Sequence, residues 1–572
     1  MNALEQFEIA SDATFQANPL PHPNGHVAAW YLITVAEDSQ RLMLALPEEP
    51  LPQWRIEHYQ DRFKFSLRSC LARAQRETKD WTSAPLPERA VPKLYTTAQT
   101  LLLAGIDYSV ATQICSSAHS GSARVLEDTD GYRVEIVEDR LDRRYGALEL
   151  MRQSAGDLII PFSVLFWFWI LETDQHPVVI GKIAESTRLR GRHIRYEYDP
   201  LFAYELSLAM PQAPFLVPGE WQFSWGGRHQ TTLLLNALSL RLLYHLVAVQ
   251  FGAARFGLRG GAEHDLCLVQ TRDEWVADLE LMTSLEKAHI REFVRQLTYG
   301  YGTQSPDQAL QPFIPLGALR LGIGPLGWLS SNVERNLLSL QARLQPNELN
   351  RQSALFEKQM TESLAIAFRK RWQHVAVNRT FKLAHGKEEI DILVCEPESK
   401  AVAVLELRWI LPPADPREVI QKKQACWQKV DQVQRKALAV ENRLESVLKT
   451  AFGLTDVTPS QWSVRAIVVV EGFGGAASLD ERVPLMPEWV LKAGTEANST
   501  LIQLLDWVRS LTWLPQQDRD FDIIESEHLL KDVRVKYPGL VPKRTGRDYL
   551  EDAIIGLTAT RRLATEELIS PP

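Results

Sequence analysis

Residues 388–408 read EEIDILVCEPESKAVAVLELR. Two apolar runs, 390–394 and 401–407, flank a turn built on Pro397 and Ser399. Their length and β-branched content predict two adjacent antiparallel strands. Side chains alternate along a strand, so Val402, Val404, Glu406 and Arg408 share one face. Asp391 lies on the face opposite to Ile390 and Ile392. An unpaired buried carboxylate costs roughly several kcal/mol, so each acid needs a metal or another cation beside it. Two carboxylates from neighbouring strands can form one hard-cation site for Mg²⁺ or Mn²⁺.

Working outward, residues 354–371 carry apolar side chains at Leu355, Met360, Leu364, Ala367 and Phe368, which is helical spacing. Residues 375–383 read as a strand, with a turn at His385, Gly386 and Lys387. Beyond the central stretch come Pro412, Pro413 and Pro416, then a second helix over about 417–440. A strand follows over 464–470, apolar except for Arg465.

The order helix, three-strand meander, helix, strand resembles the PD-(D/E)XK nuclease superfamily, the restriction-endonuclease-like fold. That family places an Asp on the second strand, E-x-K on the third and often a Glu on the first helix. The resemblance covers residues 347–510. It implies that Asp391 and Glu406 are the metal ligands, with Mg²⁺ or Mn²⁺ as cofactor, and that Glu357 is the first-helix acid. One position departs from the pattern: Arg408 stands where the family has lysine, and arginine cannot act as a general base. Three readings are open. Arg408 stabilises phosphate charge in an active site. The lysine role has moved, with Lys400, Lys422 and Lys423 as candidates. Or the site is dead and the fold only binds. A structural ion pair between Glu406 and Arg408 is the plainest alternative.

Local charge favours a nucleic-acid partner, DNA first. Residues 417–436 hold six basic against two acidic side chains, net +4, and residues 351–371 hold five against two, net +3. Lys422, Lys423 and Lys429 are the expected phosphate contacts from the second helix. The segment RLRGRHIR (188–195) adds Arg188, Arg190 and Arg192. Overall charge is −8, so any such surface has to be local.

The 572 residues suffice for two to four domains. The expected class is multi-domain α/β, divided into a small α/β module (1–95), a mixed α/β region for recognition or assembly (96–346), the nuclease-like unit (347–510) and a helical C-terminal segment (511–572). Within these, 27–35 reads as a strand, 54–76 as an amphipathic segment, 231–251 as a central helix and 526–536 as a helix. The aromatic run 166–169 and the apolar run 158–171 read as core, the latter too short to span a bilayer. Gly322 to Gly327 formally match G-x-G-x-x-G, but Pro325 and the missing downstream acid argue for a turn. Five cysteines without a C-x-x-C pair point to reduced thiols, and no apolar h-region follows the N-terminus, so a cytoplasmic location is expected. No G-x-x-x-x-G-K-[ST] occurs, so any ATP-driven step would belong to a separate ATPase partner. The layout is also similar to effectors of prokaryotic anti-phage systems, an analogy of fold alone. The competing function is a degenerate nuclease fold that serves as a nucleic-acid-binding or assembly scaffold.

Overall fold

The computed structural model describes residues 1–45, 53–78, 80–81, 85–137, 140–154, 178–208, 215–258, 263–383, 386–413, 416–472, 483–530, 533–544 and 549. The protein is mixed α/β with several separate sheets.

Four helices open the chain: α1 (Ala3–Gln16), α2 (Gly25–Ala45), α3 (Gln53–Glu77) and α4 (Pro92–His119). A reciprocal capping box starts α1: Glu5 N–H donates to the Asn2 side chain, and Asn2 N–H donates to the Glu5 carboxylate. The strand expected over 27–35 is part of α2, and no strand occurs among the described residues of 1–95. From Gly25 to Asp38 every residue of α2 is buried, so no polar stripe marks the helical period. Helix α4 runs through the expected boundary near residue 95 and packs on α1, α2 and α3.

The hairpin β1 (Ala123–Asp128) and β2 (Gly131–Ile136) follows, then α5 (Arg140–Ser154). The segment 188–195 forms a second hairpin, β3 (Arg188–Arg190) and β4 (His193–Arg195), turning at Gly191 with φ +64°. The central helix is α6 (Arg228–Arg255). Among the described residues it alone is long and apolar enough to cross a membrane, yet 72% of its most apolar window is buried inside the protein. It is a core helix.

Strands β5 (Leu268–Thr271), β6 (Ile314–Pro315) and β7 (Arg320–Ile323) form a small sheet in the order β5-β7-β6. The glycine-rich segment leads from β7 into the single turn α7 (Pro325–Leu329). Its Leu326 and Gly327 N–H groups, which a phosphate would need, donate instead to the Glu37 carboxylate of α2, at 2.7 and 2.8 Å. A Cβ on Gly324 would lie 2.2 Å from that carboxylate, so the glycine serves packing. Burial pushes Glu37 up to about 7 despite these two donors.

Helix α8 (Val333–Leu344), capped by Asn332, leads into α9 (Pro346–Arg369). Then come β8 (His374–Leu383), β9 (Gly386–Glu396), β10 (Ala401–Trp409), α10 (Pro416–Glu441), β11 (Ser463–Glu471) and β12 (Leu485–Pro487). They make a five-stranded sheet, order β8-β9-β10-β11-β12. The first three strands are antiparallel; β11 joins β10 in parallel, Glu406 opposite Val468. The expected helix–meander–helix–strand order is thus observed. The turn between β9 and β10 places Lys400 in the left-handed region, φ +51°.

The helix expected over 526–536 is overturned. Strands β13 (Phe521–Leu530) and β14 (Val533–Pro542) pair along their whole length. Strand β14 then runs parallel to β2, with Val535 opposite Tyr132. Leu530 and Val535 share a core with Phe7, Ile114, Val125 and Val134, so the C-terminal segment completes an N-terminal sheet. The runs 158–171 and 166–169, His385, and the helix expected beyond Tyr549 lie outside the described residues.

Candidate functional site

Asp391 and Glu406 meet where the β9–β10 ladder opens. Paired positions run from Glu396–Ala401 to Ile392–Leu405 and stop one step short of an Asp391–Glu406 pair. On its other side Asp391 faces Asn378, which is missing from the β8–β9 register and has φ +48°. Asparagine tolerates that region better than other side chains, so the break costs little there. The Asp391 carboxylate takes over as backbone acceptor: Leu407 N–H donates to its Oδ2 at 2.8 Å. Asn378 carries no signal in a reading of strand periodicity, and only the backbone reveals it.

Glu406 is 0% exposed. Its Oε1 is 2.5 Å from Lys436 Nζ and its Oε2 is 3.3 Å from Lys429 Nζ, both on α10, which packs over β10 and β11. Burial raises the Glu406 pKa, the nearby Asp391 charge raises it further, and the two ammonium groups oppose the shift. The cation that a buried acid requires is therefore lysine, delivered from the helix. None of Lys400, Lys422 or Lys423 fills this role. Lys400 sits in the turn, six residues or roughly 20 Å of strand from Glu406, and donates to Gln461. Lys423 is bound to Asp142 of α5 at 2.5 Å.

Arg408 does not pair with Glu406. Its Nη1 donates to Oε1 of Glu357 on α9, at 3.1 Å. Their neighbours Phe356 and Trp409 stack, ring centroids 4.2 Å apart and nearly parallel, which fixes α9 against the end of β10. Asp391, through Leu407 N–H, and Glu357, through Arg408, both reach the end of β10 that carries Glu406.

The basic surface is smaller than the sequence count implies. On α10, Lys429 and Lys436 are committed to Glu406, Lys423 to Asp142, and Arg435 to Glu388 at 3.3 Å. Lys429 consequently sits within the acidic cluster, its ammonium facing Glu406. Lys422 has no ion pair among the described residues. Arg188, Arg190 and Arg192 are exposed on the β3–β4 hairpin, which packs on α6. Nothing among the described contacts brings them to Asp391.

Comparison of the chain with protein-family models, with curated proteins and with solved structures finds no match.

Proposed function

We propose that the C-terminal unit is a metal-dependent phosphodiester hydrolase of the restriction-endonuclease-like class, acting on nucleic acid, with DNA the first substrate to test. One observation carries the reading. Two carboxylates from adjacent strands stand at an opened ladder, beside two lysines from the following helix and an arginine–glutamate pair at the strand end. Asp391 and Glu406 offer only carboxylate oxygens, the donor set of Mg²⁺ or Mn²⁺, and they are close enough for one to raise the other's pKa. Bound there, such an ion would neutralise phosphate charge and lower the pKa of water. Lys436, 2.5 Å from Glu406, opposes the rise that burial and Asp391 cause in its pKa. Lys429, at the looser 3.3 Å, is the side chain free to exchange Glu406 for a scissile phosphate, and so stands for the family lysine. Arg408, 42% exposed, presents its remaining N–H donors to the nucleic-acid backbone. A role in anti-phage defence rests on layout alone and is secondary to this reading.

A second reading draws on one specific feature. Both oxygens of Glu406 are already engaged by lysine, so the cluster is neutralised without a metal, which suits a silent scaffold. Incubating the full chain with plasmid, linear DNA and RNA under Mg²⁺, Mn²⁺ or EDTA separates the two. Cleavage that EDTA stops and Asp391→Ala abolishes is expected. Absent cleavage under every condition favours the scaffold, and cleavage that persists in EDTA overturns the metal-dependent reading. Asp391 is the cleaner probe because it is only half-buried.

Lys422→Ala is expected to reduce the log–log salt slope of DNA binding by about 0.9, the increment for one phosphate contact. Lys423→Ala should instead loosen α5 through Asp142 and leave the slope unchanged. Binding isotherms at several salt concentrations decide this; equal slopes for Lys422→Ala and wild type would place the nucleic acid elsewhere.

A further inference from the structure

A second cluster of ligating side chains lies far along the chain from the carboxylate site. His193 on β4 and His264 and Asp265 in the turn Glu263–Asp265 each offer one ligand atom, and these three atoms lie within 4.8 Å of one another. The imidazole rings are 4.6 Å apart, centroid to centroid, and nearly perpendicular. His193 Nδ1 is 2.9 Å from Asp265 Oδ1, and His264 Nε2 is 3.7 Å from Asp265 Oδ2.

Two further features point to a ligand. The His264 side chain is only 4% exposed, and its Nδ1, 3.9 Å from the Glu263 carboxylate, has no hydrogen-bond partner. Its Nε2 lies 2.9 Å from the Arg192 carbonyl, so the ring is oriented by backbone. A buried imidazole oriented by a carbonyl through one nitrogen, with the other only loosely paired to a carboxylate, is arranged as metal-ligating histidines are. The second feature is the buried scaffold behind Asp265. Arg241 donates to Asp278 at 2.7 Å and to the Tyr196 hydroxyl at 3.1 Å. Tyr196 donates to His245 Nδ1 at 2.6 Å, and His245 Nε2–H donates to the Asp265 carbonyl at 2.8 Å. Ile194 N–H donates to Asp265 Oδ2 at 2.8 Å. Five residues thus fix the backbone and carboxylate of one candidate ligand before any ion arrives.

We propose that His193, His264 and Asp265 form a binding site for a divalent first-row transition ion of the Zn²⁺ class. Two imidazole nitrogens and one carboxylate oxygen are the ligands such ions prefer over Mg²⁺, and three protein ligands leave a fourth position open. The site is independent of the hydrolase reading and shares no residue with it.

The test uses the full chain, stripped with chelator and titrated with Zn²⁺ against a chromophoric competitor. Wild type and the Asp391→Ala variant are expected to bind one Zn²⁺ more per chain than His193→Gln or Asp265→Asn, or to bind that ion at least about tenfold more tightly. His193 is the more exposed histidine, and Asn matches Asp in shape, so these variants report on ligation with the least risk to folding; circular dichroism verifies that. Absence of Zn²⁺ binding by wild type overturns the proposal. So does equal stoichiometry and affinity in wild type, His193→Gln and Asp265→Asn, which would assign the ion to thiols or other surface groups.

Discussion

Glu406→Gln is expected to lower the thermal unfolding midpoint of the C-terminal sheet by on the order of 10 °C. Lys436, 4% exposed, would keep its charge and lose the carboxylate 2.5 Å away. Removing one partner of a buried ion pair costs about 3–5 kcal/mol, because the remaining charge has neither water nor counter-ion. For a unit of this size each kcal/mol moves the midpoint by about 2–4 °C. Lys429 is less affected, since its longer contact and greater exposure let the ammonium turn to solvent. The double variant Glu406→Leu with Lys436→Met should recover most of the loss, because apolar replacement of a buried pair is close to neutral. Calorimetry of the full chain compares the three proteins. A single variant that melts with wild type would mean that Lys436 finds water or another partner, and that the pair is not buried in solution. The same coupling bears on activity: cleavage by any Glu406 variant has to be normalised to its folded fraction.

The C-terminal unit was legible because its strands are bounded by strong punctuation. Pro397 and Ser399 mark the β9–β10 turn, and Pro412, Pro413 and Pro416 mark the start of α10. The apolar runs between them match the register that forms. What failed, failed for long-range reasons. Helix α2 is buried on all sides, so its periodicity is invisible, and β-branched Val27, Ile33 and Val35 mimic a strand. Strand β14 depends on β2, some 400 residues away, and the local sequence SEHLLKDVRVK does not announce that partner. At the site, period 2 put Glu406 on a strand face but said nothing about which helix side chains reach it. Lys429 and Lys436 lie seven residues apart on one face of α10, a spacing that marks two turns of helix. The sequence marks Lys429 as a phosphate contact and counts Lys436 only in the local +4 charge, since lysines in a charged helix are usually solvated. The departure at Arg408 held the only sequence hint, because a site lacking its lysine on the strand must draw a cation from elsewhere.

Lys429→Ala is therefore expected to affect cleavage more than Arg408→Lys. If Lys429 carries the positive charge that meets the scissile phosphate, its removal should lower single-turnover cleavage at saturating Mg²⁺ by a factor on the order of 10² or more. Glu406 would lose one of the two ammonium groups that hold its pKa down, so that pKa should rise further. The sign follows: a carboxylate with a raised pKa is ionised only at higher pH, so the acid limb of the pH–rate profile should move toward alkaline pH in Lys429→Ala. A purely structural Lys429 would move the limb as well, because it faces Glu406, but would leave the rate on the plateau above it nearly unchanged, so the drop in rate decides the role. Arg408→Lys keeps a cation beside Glu357 and should retain most of the rate, while Arg408→Ala loses the 3.1 Å contact and weakens binding more than turnover. The opposite ranking, with Lys429→Ala near wild type in rate and profile and Arg408→Ala inactive, would return the catalytic charge to the strand and leave α10 as support.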